Sequence, residues 1–502
     1  MSLPWNRGCR LGLLLVFLFT TNLYAQNNFV YTNDDVAGPN TVSGFAVASD
    51  GTLSLVLGSP FTTGGTGVGG GLLAVNRAAV CPATTLIYVS NTGSDDVSGF
   101  SVNPSSGSLT LVPGSPFPTG GVGGAGIALA CTPDGRFLAA ANSGSSDITM
   151  FRIGSDGALT PVAGSPFAMD AAAHGIKISP DGKFLAAALQ SINAVAMFRI
   201  ATDGTLAPVP GSPFAGALVG AVTSADINCS GRQLFAGTSG AATTVDVFDI
   251  ATSGSLTPLP DSPFTPGFGD SSNVVLLNPN ERLLFASNPL SKSVTVFTVA
   301  SNGSLSPVAG SPFDAPGSFL PSGMAMDQAG KFLYVADGSV VYGYAVADGG
   351  ALTSLPGSPF RTNPTNQSGR LLSLTAFPGK SCNQPPVCSA ALATPSTAWP
   401  PNQQMVPISI SGVSDPDGDP VTITPTDVSQ DEPGAPGDAT LAPLTVRADR
   451  DGASDGRVYT ITFMASDGRG GTCTGAVKVC VPHDQGSDVP CVDQGPRYRS
   501  LP

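Results

Sequence analysis

The tetrapeptide Gly58-Ser59-Pro60-Phe61 recurs six more times along the chain, once with Asp in place of the glycine. Successive copies stand 47 to 56 residues apart. A regular period of this length is typical of proteins in which one supersecondary unit is repeated. The seven copies end at Phe61, Phe117, Phe167, Phe214, Phe264, Phe313 and Phe360.

Each copy closes a longer pattern, which the third copy illustrates. Phe151 is followed by the turn residue Gly157 and then by Leu159, eight residues before the terminal phenylalanine. An apolar run, a glycine turn and a second apolar run predict a β-hairpin. A second hairpin precedes it, with strands predicted at 127–131 and 137–141. Each repeat is therefore a four-stranded antiparallel meander, and we expect its Ser-Pro step to end the fourth strand.

Seven such units favour a closed ring. Each four-stranded unit has two apolar faces and needs neighbours to bury them, so radial stacking into a seven-bladed β-propeller is predicted. The chain starts in the middle of a unit, because Phe29–Thr32 matches the second strand of later repeats. The missing first strand returns at 371–377, so the two ends of the propeller should share one blade.

The composition agrees with an all-β fold. The 502 residues include 62 Gly and 45 Pro, and only 11% are charged. Of the 35 acidic residues only Glu281 and Glu432 are glutamates, whereas glutamate is usually common on helix faces.

After a propeller at 26–380 and a linker at 381–386, alternating runs at 387–485 predict an immunoglobulin-like β-sandwich. A tail at 486–502 completes the chain.

The N-terminal segment predicts export. Residues 1–25 combine two arginines, a short apolar run and a final alanine, which is the layout of a cleaved secretory signal peptide. No later stretch is long enough to span a membrane. The eight cysteines beyond this segment suit disulfides in an oxidising compartment, although their pairing is open. We therefore expect a secreted monomer located in the periplasm, at the cell surface or in the medium.

The net charge disfavours nucleic acid as a partner. The formal charge is −13, and no basic cluster interrupts the acidic background. A polyanion would be repelled by such a surface.

Two repeat segments resemble a known family. Ile178–Leu185 and Leu86–Asn91 look like the repeats of YVTN-type and lactonase-family propellers, which include 6-phosphogluconolactonases. The resemblance covers roughly residues 27–380 and implies a site at one end of the central channel, where a His, a Glu and arginines act on a lactone. His174 matches the histidine of that pattern. Glu281, the only glutamate of the propeller, stands in a distant hairpin turn, so the family's glutamate has no counterpart.

The C-terminal region shows a second resemblance. Val413–Pro420 and Gly456–Thr462 look like segments of Ig-like and cadherin-like modules in bacterial surface proteins. That resemblance implies a spacer or contact module and no catalytic activity.

A candidate catalytic set follows from propeller geometry. Loops that join one blade to the next share one mouth of the channel, and this rule groups His174 with Asp170, Asp270 and Arg361. A histidine beside carboxylates and an arginine could supply a general base and an oxyanion partner for ester hydrolysis. Alternatively, His174 only hydrogen-bonds inside the channel.

The second domain contains a candidate metal site. Asp415, Asp417 and Asp419 alternate as carboxylate ligands of Ca²⁺ do. The alternative is an ordinary Asp-rich turn, and no other cofactor is required.

Two functions remain open at this point. The first is a non-catalytic extracellular binding or surface protein whose ligand is a carbohydrate or another protein. The alternative is an exported lactone hydrolase that uses His174. Because the family's glutamate is missing, the sequence favours the first.

Overall fold

The chain is almost entirely β-structure, as predicted. In the computed structural model, the only helical element among the described residues is the 3₁₀ turn Gln190–Ile192. No helix among them is long and apolar enough to cross a membrane. The predicted signal peptide, 1–25, lies outside the described residues. The structure describes residues 28–69, 75–82, 84–124, 126–216, 220–239, 244–265, 274–315, 323–362, 373–380, 382, 385–415, 420–435, 437–467, 471–484 and 491–501.

Short strands fill the first part of the chain. They are β1 (Phe29–Asn33), β2 (Gly38–Val47), β3 (Leu53–Leu55), β4 (Phe61–Gly67), β5 (Ala78–Val80), β6 (Leu86–Asn91), β7 (Asp96–Val102), β8 (Leu109–Leu111), β9 (Phe117–Pro118), β10 (Ile127–Cys131), β11 (Phe137–Asn142), β12 (Asp147–Ile153), β13 (Leu159–Pro161), β14 (Phe167–Ala168), β15 (Ala173–Ile178), β16 (Phe184–Leu189), β17 (Ala194–Ile200), β18 (Leu206–Pro208), β19 (Phe214–Ala215), β20 (Ala221–Ile227), β21 (Gln233–Ser239), β22 (Thr244–Ile250), β23 (Leu256–Pro258), β24 (Val274–Leu277), β25 (Leu283–Asn288), β26 (Ser293–Val299), β27 (Leu305–Pro307), β28 (Phe313–Asp314), β29 (Met324–Met326), β30 (Phe332–Asp337), β31 (Val340–Val346), β32 (Leu352–Ser354), β33 (Phe360–Arg361) and β34 (Ser373–Phe377).

These strands form seven antiparallel blades, which confirms the predicted architecture. Blades 2 to 7 begin at β5, β10, β15, β20, β24 and β29, and each proceeds outward as a meander. The first strands of neighbouring blades contact one another around a ring, so they line the central channel. Blade 1 is shared between the two ends of the propeller, because β34 pairs antiparallel with β1.

Apolar packing between blades holds the ring together. Seven buried clusters lie at the seven blade interfaces, including the seam between blades 7 and 1. Tyrosine hydroxyls add a hydrogen bond to a turn of the next blade: Tyr88 donates to the carbonyl of Gly157 at 2.7 Å. At the seam, Tyr334 donates to Gly51 at 2.8 Å. The repeated residues therefore mark contacts between units as well as turns within them.

The outer edge of each blade differs from our prediction in one respect. The Ser-Pro step interrupts the fourth strand but does not end it, since in all seven blades pairing with the third strand resumes at the phenylalanine of the motif. The serine bridges the gap: in blade 3 the amide of Met150 donates to Ser165 Oγ at 3.0 Å. A hydroxyl acceptor thus replaces the ladder partner that the interruption removes.

The C-terminal domain is a separate β-domain with its own core. Its central sheet runs β42-β41-β38-β43, and two smaller sheets accompany it. Two disulfides, Cys388–Cys473 and Cys480–Cys491, lie within it. Its strands are β35 (Leu392–Thr394), β36 (Met405–Pro407), β37 (Ser409–Ser411), β38 (Thr422–Gln430), β39 (Ala439–Leu441), β40 (Leu444–Arg447), β41 (Arg457–Ser466), β42 (Thr472–Val481) and β43 (Tyr498–Arg499).

Candidate functional site

The channel has two distinct mouths. We call the end at which the first strand of each blade begins the upper mouth. The end at which these strands turn back, for example at Pro133, Pro180 and Pro279, is the lower mouth. The described members of the predicted catalytic set, His174, Asp170 and Arg361, lie on the upper side.

His174 lies at the upper mouth, in a β-bulge of β15. Pairing with β16 shifts between Ala173 and Gly175, so the histidine is the extra residue. Its side chain is 4% exposed, and Nδ1 has no hydrogen-bond partner among the described residues. Burial lowers the pKa of His174 to about 4. The imidazole is therefore neutral at pH 7 and is a weak base.

A short segment crosses the channel next to His174. The amide of Val75 donates to the His174 carbonyl at 2.9 Å, and Asn76 Nδ2 donates to the carbonyls of Leu129 and Ile176 at 2.7 Å each. The next residue, Arg77, reaches blade 1 at the opposite side of the channel. We call residues 75–77 the crossing segment.

A buried ion pair anchors the end of this crossing segment. Arg77 Nη1 lies 2.6 Å from Asp35 Oδ2, and both side chains are almost fully buried. The amide of Arg77 donates to Ser373 Oγ at 2.9 Å. The segment is thus fixed to the closing blade.

The other predicted catalytic residues are dispersed. Asp170 is exposed beyond β14 of blade 3, and Arg361 is exposed in β33 of blade 7. Asp270 lies outside the described residues. Within the described part of the chain, no hydrogen bond or ion pair joins His174, Asp170 and Arg361, so their catalytic role stays a prediction.

The predicted calcium site also stays a prediction. Asp415 is described and follows the bridge between Val387 and Ser414, whereas Asp417 and Asp419 lie outside the described residues. Among the residues that are described, no group of three His, Cys, Asp or Glu side chains is placed to hold a metal ion.

A cavity of about 720 Å³ opens at the lower mouth. First strands and their turns from all seven blades line it, and Asn76 of the crossing segment lies at its inner end. Neither His174, Asp170 nor Arg361 lines this cavity. This cavity therefore lies on the side of the channel opposite to these three residues.

One corner of this cavity is charged. Lys177 Nζ lies 2.7 Å from Asp226 Oδ1, and Asp226 Oδ2 accepts the amide of Leu277 at 2.9 Å. Burial alone would raise the pKa of Asp226, but Lys177, Lys380 and the amide outweigh it, so this pKa is lowered. Asp226 is therefore ionised and firmly held.

The segment that follows the propeller crosses the lower mouth. We call residues Pro378–Lys380 together with Cys382 the strap. It begins in blade 1 at the end of β34, passes Val80 of blade 2 at Gly379, and ends in a disulfide between Cys382 and Cys229 of blade 5. The fixed strap places a lysine in the cavity wall.

Lys380 is that lysine, and Glu281 is its acidic neighbour. Lys380 Nζ donates to the carbonyl of Leu277 at 3.5 Å. Burial lowers the pKa of Lys380, although Asp226 and Glu281 act in the opposite direction. Burial likewise raises the pKa of Glu281, whose Oε1 accepts the amide of Cys229. The four side chains Lys177, Asp226, Glu281 and Lys380 form what we call the charged corner.

The repeat contains a signal for only half of this corner. Lys177 and Asp226 occupy equivalent positions in the first strands of blades 4 and 5, as the strand registers show. A charge in an otherwise apolar first strand is conspicuous once the repeats are aligned. Lys380 and Glu281 belong to this corner because the strap and the Cys229–Cys382 disulfide bring Lys380 close to it. No local sequence pattern predicts this arrangement. The other blades carry Ala79, Ala130, Leu276, Ala325 and Thr375 at this position.

Structural comparisons support the same fold. A candidate 6-phosphogluconolactonase from Bacteroides fragilis has a TM-score of 0.57 and 18% identity, covering 70% of this chain and 98% of its own. A second, from Bacteroides uniformis, has a TM-score of 0.57 and 18% identity, covering 70% and 99%. The periplasmic gluconolactonase of Pseudomonas aeruginosa has a TM-score of 0.53 and 20% identity, covering 67% and 97%. A search of curated protein sequences found no match.

Sequence profiles identify both domains. The profile described as lactonase, seven-bladed β-propeller, matches residues 74–166, 114–222 and 225–358. The profile of the bacterial Ig domain matches 383–480. The four disulfides and the bacterial Ig domain indicate an extracellular or periplasmic location. The chain belongs to the lactonase family of seven-bladed β-propellers and carries a C-terminal bacterial Ig domain.

Proposed function

We propose that this protein is an exported binding protein whose small ligand occupies the cavity at the lower mouth of the propeller. The observation that carries the proposal is the cavity itself, about 720 Å³ in volume, with a largely apolar wall in which Lys177, Lys380, Asp181 and Asp327 are the charged residues. Binding sites for small molecules have this composition: an apolar wall with a few placed polar groups. The Ig domain then acts as a spacer or a second contact.

The state of the upper mouth supports a binding role. A general base works best when its pKa lies near the operating pH. His174, with a pKa of about 4, is a poor base at neutral pH, and no hydrogen bond joins it to Asp170 or Arg361 in the described part of the chain.

Activity measurements and a cavity block test this proposal. We expect no turnover of a panel of sugar lactones by the wild type or by His174→Ala. We also expect Gln328→Trp, which places a large side chain in a half-buried turn of the cavity rim, to reduce ligand binding. Turnover that disappears in His174→Ala would reverse the proposal, as would ligand binding that Gln328→Trp leaves unchanged.

Lactone hydrolysis at the upper mouth is the second candidate function. It is favoured by the buried Nδ1 of His174, which has no hydrogen-bond partner among the described residues. In this alternative Asp170 or Asp270 and Arg361 would assist. With a pKa of about 4, His174 would give a rate that is constant above roughly pH 5 and falls below it. A pH profile of any turnover therefore tests whether His174 is the base.

A further inference from the structure

The ammonium group of Lys380 is under-satisfied. It has three N–H donors, and its one hydrogen bond among the described residues is the 3.5 Å contact to the Leu277 carbonyl. Lys380 lines the cavity, and burial lowers its pKa. Because Lys380 is half-buried in the cavity wall, its remaining donors are accessible to an acceptor that enters the cavity.

The neighbouring carboxylates are already engaged. Asp226 accepts from Lys177 at 2.7 Å and from the amides of Ile227 and Leu277 at 2.9 Å each. Glu281 accepts from the amide of Cys229, and burial raises its pKa. Lys380 is therefore the group of the charged corner whose charge is least compensated.

The rest of the wall restricts the ligand further. Five of the seven blades carry no charge at the position equivalent to Lys177, so the first strands offer the ligand body a mostly apolar surface, and Asp181 and Asp327 lie in the turns beyond them. One lysine suits a single negative charge. A phosphate monoester, with about two charges, would need more donors than this one lysine supplies.

We propose that the lower mouth binds the carboxylate of a small organic acid with an apolar body, and that Lys380 Nζ donates to that carboxylate. This assignment rests on the proposed function and names the ligand class for the same cavity. The apolar body lies against the first strands, and the carboxylate supplies the acceptor that Lys380 lacks.

The strap gives this proposal a second line of support. Lys380 lies outside the repeats and reaches the cavity only because its segment is fixed at both ends, by β34 on one side and by Cys382–Cys229 on the other. The disulfide joins residues 153 positions apart in sequence. Without it the lysine would be free to leave the cavity.

Calorimetric titration with octanoate, and with octanamide as the uncharged probe, tests the proposal in the full chain. We expect the wild type to prefer octanoate, and Lys380→Met to weaken octanoate binding about tenfold or more, as for loss of a hydrogen bond to a charged group. Lys183→Met is the matched control, because Lys183 is exposed on the same rim and pairs with Asp181. It should change the affinity less than about twofold.

The outcomes separate this inference from the proposed function. Equal octanoate affinity in the wild type and Lys380→Met overturns the inference. Binding of octanamide alone, blocked by Gln328→Trp, also overturns it but leaves the proposed function in place. Binding of neither probe to the wild type contradicts both. Should Lys380→Met fail to fold, the double variant Cys229→Ser/Cys382→Ser, which releases the strap, must weaken octanoate binding for the inference to stand.

Discussion

Burial of His174 should make the propeller lose stability in mild acid, and His174→Gln should remove that loss. The pKa of this side chain is 6.5 when exposed and about 4 in the folded chain. Between these values the unfolded chain takes up a proton and the folded chain does not. Stability therefore falls as the pH drops through 6.5 and reaches its full loss below about 4.

The size of the effect follows from the same two pKa values. A difference of one pKa unit corresponds to about 1.4 kcal/mol, so the full loss is roughly 3 kcal/mol. At pH 5 the unfolded chain is mostly protonated and the folded chain mostly neutral, which gives a loss of about 2 kcal/mol. Glutamine is polar and does not titrate, so the variant should lack this contribution.

Scanning calorimetry at pH 7, 6 and 5 measures the effect. The propeller transition must be followed by heat capacity, because Trp399 lies in the Ig domain and its fluorescence reports on that domain. The relevant quantity is the difference between His174→Gln and the wild type, which cancels the other titrating groups. His483→Gln, at an exposed site in the Ig domain, is the control. The same pH dependence in the wild type and in His174→Gln would refute this account of the histidine.

Three further predictions concern the frame around the channel. Burial raises the pKa of Asp34 to about 6, so the folded chain binds this proton more tightly than the unfolded chain does. The stability of the propeller should therefore rise as the pH falls through 6. In calorimetry, Asp34→Asn should lack this rise. Gly51→Ala should lower the free energy of unfolding by about 1–2 kcal/mol because of the positive φ at this position. It should lower it by about 1–3 kcal/mol more because the new Cβ would lie 2.3 Å from Phe332. Gly58→Ala has a similar φ and only an ordinary contact, so it should show only the loss caused by φ. An equal loss of unfolding free energy in the two variants would contradict the packing argument. Tyr88→Phe should lower the propeller's unfolding free energy by about 1 kcal/mol, which denaturant unfolding can measure.

The fold was readable from the sequence because its determinants are local and repeated. Glycine turns, alternating apolar residues and the Ser-Pro-Phe motif recur seven times, and each copy reinforces the same assignment. The ring closure by β34 followed from the phase of the repeats alone. The resumption of the fourth strand was missed, because it depends on serine hydroxyls such as Ser165 Oγ that replace a backbone partner.

The candidate site was less predictable, for a physical reason. His174 stands where the repeat places it, at the start of the first strand of blade 4. The crossing segment and the strap are not repeats, and their positions depend on contacts such as that of Asn76 with Ile176, 100 residues away. Tertiary packing alone therefore decides where these two segments cross the channel.

The energetics of the charged corner indicate why it merits a functional explanation. Burying Asp226 beside Lys177 costs desolvation, and a well-packed apolar pair of similar size is often as stable or more so. The other five blades have uncharged residues at the equivalent position, so the fold does not require a charge there. Asp226 also helps to hold Lys380 in its charged form against the effect of burial. A corner that places one poorly hydrogen-bonded lysine in a cavity wall is better suited to holding a ligand than to stabilising the ring.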